Sequence, residues 1–218
     1  MFSPFEDRSA EPAIRGFLHE PAESNGDGVV MTHGAGANCQ TKLLVEMADA
    51  LAIIGFLVLR FDLPFRLARS FGPPRPGGAE RDREGLRRAA AMLKARITRR
   101  VFLGGHSYGG RQASMLAAED PEVADGLLLL AYPLHPPKKP SELRTKHFPD
   151  LAKPPFFAHG TRDPFGTLPE MEQALRLIPV PHMLFEVDGA GHELLPKKAG
   201  SDLPARLAQS FQSFIASL

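Results

Sequence analysis

The 218-residue sequence contains a single cysteine, Cys39, and that scarcity excludes two things at once. One thiol cannot close an intramolecular disulfide, and without a cysteine cluster there is nothing to hold a structural metal, so neither a metal nor a cofactor is expected. An excess of one charge is missing as well: 26 lysines and arginines face 25 aspartates and glutamates, a formal net charge of +1. No long-range field then gathers nucleic acid or an anionic membrane, and a small, roughly neutral molecule is the expected partner. Long apolar runs are also lacking. The longest, residues 51–59 and 126–134, have nine residues each, about half of the ~18 that a membrane-spanning helix requires. The opening MFSPFEDRSAEP places acids and prolines where a secretory signal needs a basic start and an apolar stretch, so a cytoplasmic location is the default expectation. No internal repeat is visible, and the proline- and glycine-rich FGPPRPGG is too short for a linker.

What is present suits one α/β domain spanning residues 1–218, with 43% hydrophobic residues to build its core. Short β-branched or aromatic runs alternate with helical periodicity. Strands are expected at 28–33 (GVVMTH), 56–61 (FLVLRF), 101–103, 126–131, 155–158 and 182–187. Helices are expected at 42–54, 83–97, 108–119, 168–177 and 203–215. In the first of these Leu43, Met47, Leu51 and Ile54 share a face, and in the second Leu86, Ala90, Leu93 and Ile97 do. The alternation predicts a mostly parallel sheet with helices on both faces, because parallel strands need crossover connections. Ligands of such sheets sit at the carboxyl ends of the strands. Three segments leave strands as loops: 62–78, 133–149 and 189–200.

Within VFLGGHSYGGRQAS, residues 105–109 read Gly-His-Ser-Tyr-Gly at the point where a strand turns into a helix. That context gives G-x-S-x-G its meaning: the serine sits on a tight, strained turn, its hydroxyl projecting above the sheet edge toward the positive end of the following helix. Ser107 is therefore the candidate nucleophile. A serine hydroxyl needs a base, and the base needs an orienting acid. His192, in the glycine-containing loop of VDGAGHELL after the last strand, is the candidate base. Asp163, in the polar turn of FFAHGTRDPFG, is the candidate acid, with Asp188 as the next choice. The order Ser107, Asp163, His192 is the chain order of one hydrolase fold.

The segments HGAGAN, LRFDLPF, GGHSYGGRQAS, AYPLHPPKKP and FFAHGTRDPFG together resemble the α/β-hydrolase superfamily, from Gly28 to the final helix. Within it the chain is similar to a small, lidless group near the dienelactone-hydrolase-like enzymes. That group includes bacterial predicted hydrolases and the hydrolase-like domain of a subunit of the NSL chromatin complex. Dienelactone hydrolases proper carry a cysteine at the elbow, where this chain has Ser107, and Cys39 reads as a small buried residue. Acyl transfer needs two preplaced N–H donors for its oxyanion; in other hydrolases, losing one side-chain donor costs about 3–4 kcal/mol. The amide of Tyr108 is the expected first donor. The resemblance implies the amide of Ala35, in HGAGAN, as the second.

The segment between the strands at 126–131 and 155–158 is too short for a full helical cap, and Phe65, Phe71, Leu134 and Phe148 are expected around the mouth of an open site. Arg111 is expected to pair with Asp62 or, failing that, to hold an anionic substrate group. The arginines and lysine between Arg87 and Arg100 read as a solvated helix face. The expected activity is that of a serine hydrolase on small acyl substrates, a carboxylesterase or thioesterase. The alternative is an idle hydrolase fold used for binding or assembly, for which an intact triad has no physical need.

Overall fold

The computed structural model describes residues 2–195 and 202–218. Eight strands form one sheet in the order β1-β2-β4-β3-β5-β6-β7-β8. From β4 (Leu57–Phe61) across β3 (Gly28–Thr32), β5 (Val101–His106), β6 (Gly126–Leu130), β7 (Pro155–Gly160) and β8 (Met183–Val187), all neighbours are parallel. The central strands are apolar throughout because both faces are covered. Alternate residues divide between two cores: Val30, Leu59, Leu103, Leu127 and Leu129 face one side, and Val29, Met31, Val58, Phe102, Leu128 and Leu130 the other.

Helices α1 (Lys42–Ile53) and α6 (Leu203–Ala216) pack on the second face through Leu44, Met47, Leu51, Leu207 and Phe211. On the first face lie α3 (Ala79–Lys94), α4 (Tyr108–Glu119) and α5 (Leu168–Leu175), through Leu86, Leu93, Leu116 and Met171. The expected mostly parallel α/β architecture is therefore present. Among the described residues, only a single 3-10 turn (Phe148–Asp150) interrupts the chain between β6 and β7, so no cap covers the sheet edge there. No described helix is long and apolar enough to cross a membrane.

Several expected boundaries move. Two strands without a sequence expectation, β1 (Phe2–Asp7) and β2 (Ile14–His19), extend the sheet antiparallel beside β4. The buried Arg60 guanidinium lies against both the Phe2 and Phe17 rings, and also donates to His19 and to the Cys39 carbonyl. A short helix, α2 (Pro64–Ala68), sits inside the expected loop 62–78. Helix α3 starts at Ala79 instead of 83, because Glu80 and Asp82 occupy its first turn, where the helix dipole favours acids, and it stops at Lys94. Strand β5 runs on to His106 through two glycines. Of the expected loop 189–200, residues 196–200 lie outside the described ones.

Candidate active site

The turn from β5 into α4 is made possible by close packing. Gly105 has φ 153°, and a Cβ there would lie 2.4 Å from the Thr32 carbonyl oxygen; one on Gly109 would lie 2.7 Å from that of His33. Any side chain at either position would push β5 or α4 away from β3. Between them Ser107 is held at φ 53°, ψ −116°, outside the regions an L-residue prefers. A serine preceding a helix ordinarily caps it, but the Ser107 side chain makes no capping bond. Its hydroxyl is used elsewhere.

That hydroxyl meets His192. The parallel strands bring their carboxyl ends to one edge, and the residues expected there converge: Ser107 after β5, Asp163 after β7 and His192 after β8. His192 Nε2 lies 2.8 Å from Ser107 Oγ, and His192 Nδ1 lies 2.8 Å from Asp163 Oδ2. The Asp163 side chain is completely buried, and its other oxygen accepts from the Phe165 amide at 2.8 Å. A carboxylate beside Nδ1 selects the tautomer with the proton on Nδ1, which leaves Nε2 as a lone-pair acceptor for the serine proton. Asp188, the second-choice acid, is exposed and outside this chain of bonds.

Three neighbours had no distinguishing signal in the sequence. The Phe165 ring stacks on the His192 imidazole, centroids 4.1 Å apart, fixing its plane. His106, buried beside Ser107, donates from Nε2 to the His192 carbonyl oxygen at 2.8 Å and so ties the elbow to the loop that carries His192; burial holds its pKa below the ordinary imidazole value. Asp82, fully buried in α3, accepts from the Tyr108 hydroxyl at 2.7 Å and the Phe65 amide at 3.0 Å. Burial pushes its carboxyl up. His106 stands at a position of G-x-S-x-G that accepts any residue, so the motif carries no information about it.

The chain from Gly34 passes directly over the elbow: a Cβ on Gly34 would lie 3.5 Å from that of Ser107. The Ala35 amide therefore lies near Ser107, and the Ala35 carbonyl is anchored by Arg66 Nη2 at 3.1 Å. His33 stiffens the same loop. Its Nε2 accepts from the Leu63 amide at 3.1 Å and its Nδ1 donates to the Gly34 carbonyl at 2.9 Å, a neutral tautomer in keeping with burial lowering its pKa. Neither the Ala35 nor the Tyr108 amide has an acceptor among the described residues.

A family model described as an alpha/beta hydrolase domain matches residues 25–217. The chain belongs to that family. Among solved structures, the α/β hydrolase here resembles dienelactone hydrolase from Anabaena variabilis, with 21% identity and a TM-score of 0.75 over 100% of this chain and 97% of that one. It also resembles an α/β serine hydrolase without lid from Xanthomonas campestris, at 17% identity and a TM-score of 0.75, over 99% and 94% of the two chains. Est1E from Butyrivibrio proteoclasticus matches at 13% identity and a TM-score of 0.76, over 98% and 99%. At these identities the likeness is one of fold, and it agrees with the dienelactone-hydrolase-like group that the motifs point to.

Other expectations need correction. Arg111 does not pair with Asp62, which accepts from the Cys39 amide at 2.8 Å and has Arg15 at 3.5 Å. Leu134 and Phe148 are fully buried in the core instead of lining a site mouth, and Phe71 is 77% exposed. Phe65 alone remains by the elbow, its ring edge-on to Tyr108. Cys39 is buried, and burial together with Asp62 pushes its thiol up to about 12. Arg87, Arg88 and Arg100 are engaged by Glu84, Asp7 and Asp27 respectively. Among the described residues no group of three or more potential ligands is placed to hold a metal ion.

Proposed function

We propose that this hydrolase cleaves small carboxylic esters or thioesters through Ser107, with His192 as base and Asp163 as its orienting acid. The observation that carries this reading is the unbroken chain from Ser107 Oγ to His192 Nε2 and from His192 Nδ1 to Asp163, with both links at 2.8 Å. As Oγ bonds to the substrate carbonyl carbon, its proton passes to Nε2 and the carbonyl oxygen becomes an oxyanion. The amides of Tyr108 and Ala35 are the donors for that oxyanion. Collapse breaks the bond to the leaving group, which departs with the proton from Nε2. Water then repeats the sequence, giving its proton to Nε2 and its oxygen to the acyl carbon, and Ser107 is restored.

Short acyl groups fit best, because an open edge without a cap offers little surface against which to bury a long chain, and each sheltered methylene contributes only ~0.8 kcal/mol. The test is a fluorophosphonate probe. It should label the wild-type chain and fail on Ser107→Ala, whose melting temperature should stay within a few degrees. A folded wild-type protein that takes up no probe would mean an idle fold serving a binding or assembly role.

A further inference from the structure

One turn beyond Ser107, on the same helix, stands a positive charge with no counter-ion. The Arg111 amide donates to the Ser107 carbonyl at 2.9 Å, so the residue sits directly after the elbow. Its guanidinium lies close to the Tyr132 hydroxyl, just past the carboxyl end of β6. Its Nε is buried without a hydrogen-bond partner. Among the described residues no carboxylate lies within ion-pair distance of Arg111 or of Arg144, whose charge acts on it.

The surrounding groups are already engaged, and none of their carboxylates is in ion-pair contact with either arginine. The Tyr132 hydroxyl, which also feels Arg111, donates to the Arg144 carbonyl at 2.6 Å. Ser114 Oγ lies 3.0 Å from the Arg111 carbonyl oxygen and 2.8 Å from His147 Nε2. His147 is pushed down to about 4 by burial and by the Arg111 charge, so it is neutral at pH 7 and adds no positive charge. Glu142 bears on Arg144 from the rim but is paired with Lys139 at 2.8 Å, and Asp150 bears on His147. Two neighbouring guanidiniums, both taken partly out of water, repel each other and lose hydration with no ion pair in return. An anion supplied from outside removes that cost.

We infer that Arg111, backed by Arg144, forms an anion subsite one helical turn from Ser107 that selects acyl groups ending in a carboxylate. Guanidinium and carboxylate pair through two parallel N–H···O bonds, which fixes the acyl chain in one direction. This assignment rests on the hydrolase reading above, and it narrows the substrate class.

The experiment compares kcat/KM for the mono-p-nitrophenyl esters of succinate and glutarate with those of p-nitrophenyl butyrate and valerate. The wild type should favour the half-esters by about tenfold or more, the scale of a charged hydrogen-bonded contact. Arg111→Met should collapse that ratio and Arg111→Lys should keep part of it. Arg8→Met, which removes an equal charge from an exposed site, should leave the ratio unchanged. A wild-type ratio near one, or a ratio that survives Arg111→Met, overturns the subsite while leaving the hydrolase standing. In parallel, glutarate binding is titrated on Ser107→Ala with and without Arg111→Met. Binding that depends on Arg111 supports the subsite even if neither ester is turned over, and binding indifferent to Arg111 refutes it.

Discussion

At the elbow, the side chains of Ser107, His192 and Asp163 form a chain in which each has a partner. One turn along the helix, Arg111 and the neighbouring Arg144 of the loop after β6 carry two charges with no carboxylate in ion-pair contact among the described residues. The first cluster is complete in itself, and so defines a path for one proton. The second is incomplete, and the sign of what it lacks indicates the ligand. The proposed chemistry and the proposed selectivity rest on different residues, Ser107 and Arg111, which makes them separable by mutation.

The sharpest break of the first cluster is Asp163→Asn. Without the carboxylate, His192 loses the partner that selects its tautomer and stabilises its protonated form, and kcat should fall by about 100- to 10,000-fold with a much smaller change in KM. Near wild-type turnover of p-nitrophenyl acetate would show that the acid is elsewhere, with Asp188 the next residue to test.

A smaller effect is expected at His106, which bonds to the His192 backbone carbonyl and whose ring lies 5.1 Å from the imidazole, centroid to centroid. His106→Phe removes the bond to the His192 carbonyl and should lower kcat by about tenfold, while His106→Gln, whose amide can still donate, should recover part of it. Equal losses in the two variants, or a change confined to KM, would mean that this bond does not position the base.

Mildest is a pH effect on stability. His33 and His106 are held below the ordinary imidazole range by burial, and His19 and His147 are pushed down to about 4, by burial and by the charges of Arg60 and Arg111 respectively. The unfolded chain therefore binds more protons than the folded one between about pH 6.5 and 4, and stability is lost as the pH falls through that window. Asp82, pushed the other way, offsets part of the loss. Calorimetry should show a melting temperature that declines from pH 7 to 4.5; a flat or rising profile contradicts the neutral, buried state of these imidazoles.

The sequence is most legible where a single residue type is required. Gly105, Ser107 and Gly109 announce the elbow because a side chain at either glycine would collide with β3. Helix α4 was read to the residue, since its start is the elbow itself. Strands β1 and β2 were not visible: β1 is mostly exposed, contains Pro4, and gains its place by pairing with β2 and by the stacking of Phe2 on Arg60, contacts distant in sequence. The pairing expected for Arg111 failed for a related reason. Asp62 follows β4, which β3 separates from the elbow strand β5, and the Cys39 amide and Arg15 meet it instead, a sheet order that no local pattern records.

The central claim is that Ser107 Oγ takes up the acyl group. Acid quenching during turnover of p-nitrophenyl acetate, followed by peptide mass mapping, tests it most directly. The account predicts one acetyl group on the peptide containing Ser107 and none there in Ser107→Ala. An acetyl group on another side chain, or p-nitrophenol released at the wild-type rate by Ser107→Ala, would contradict it.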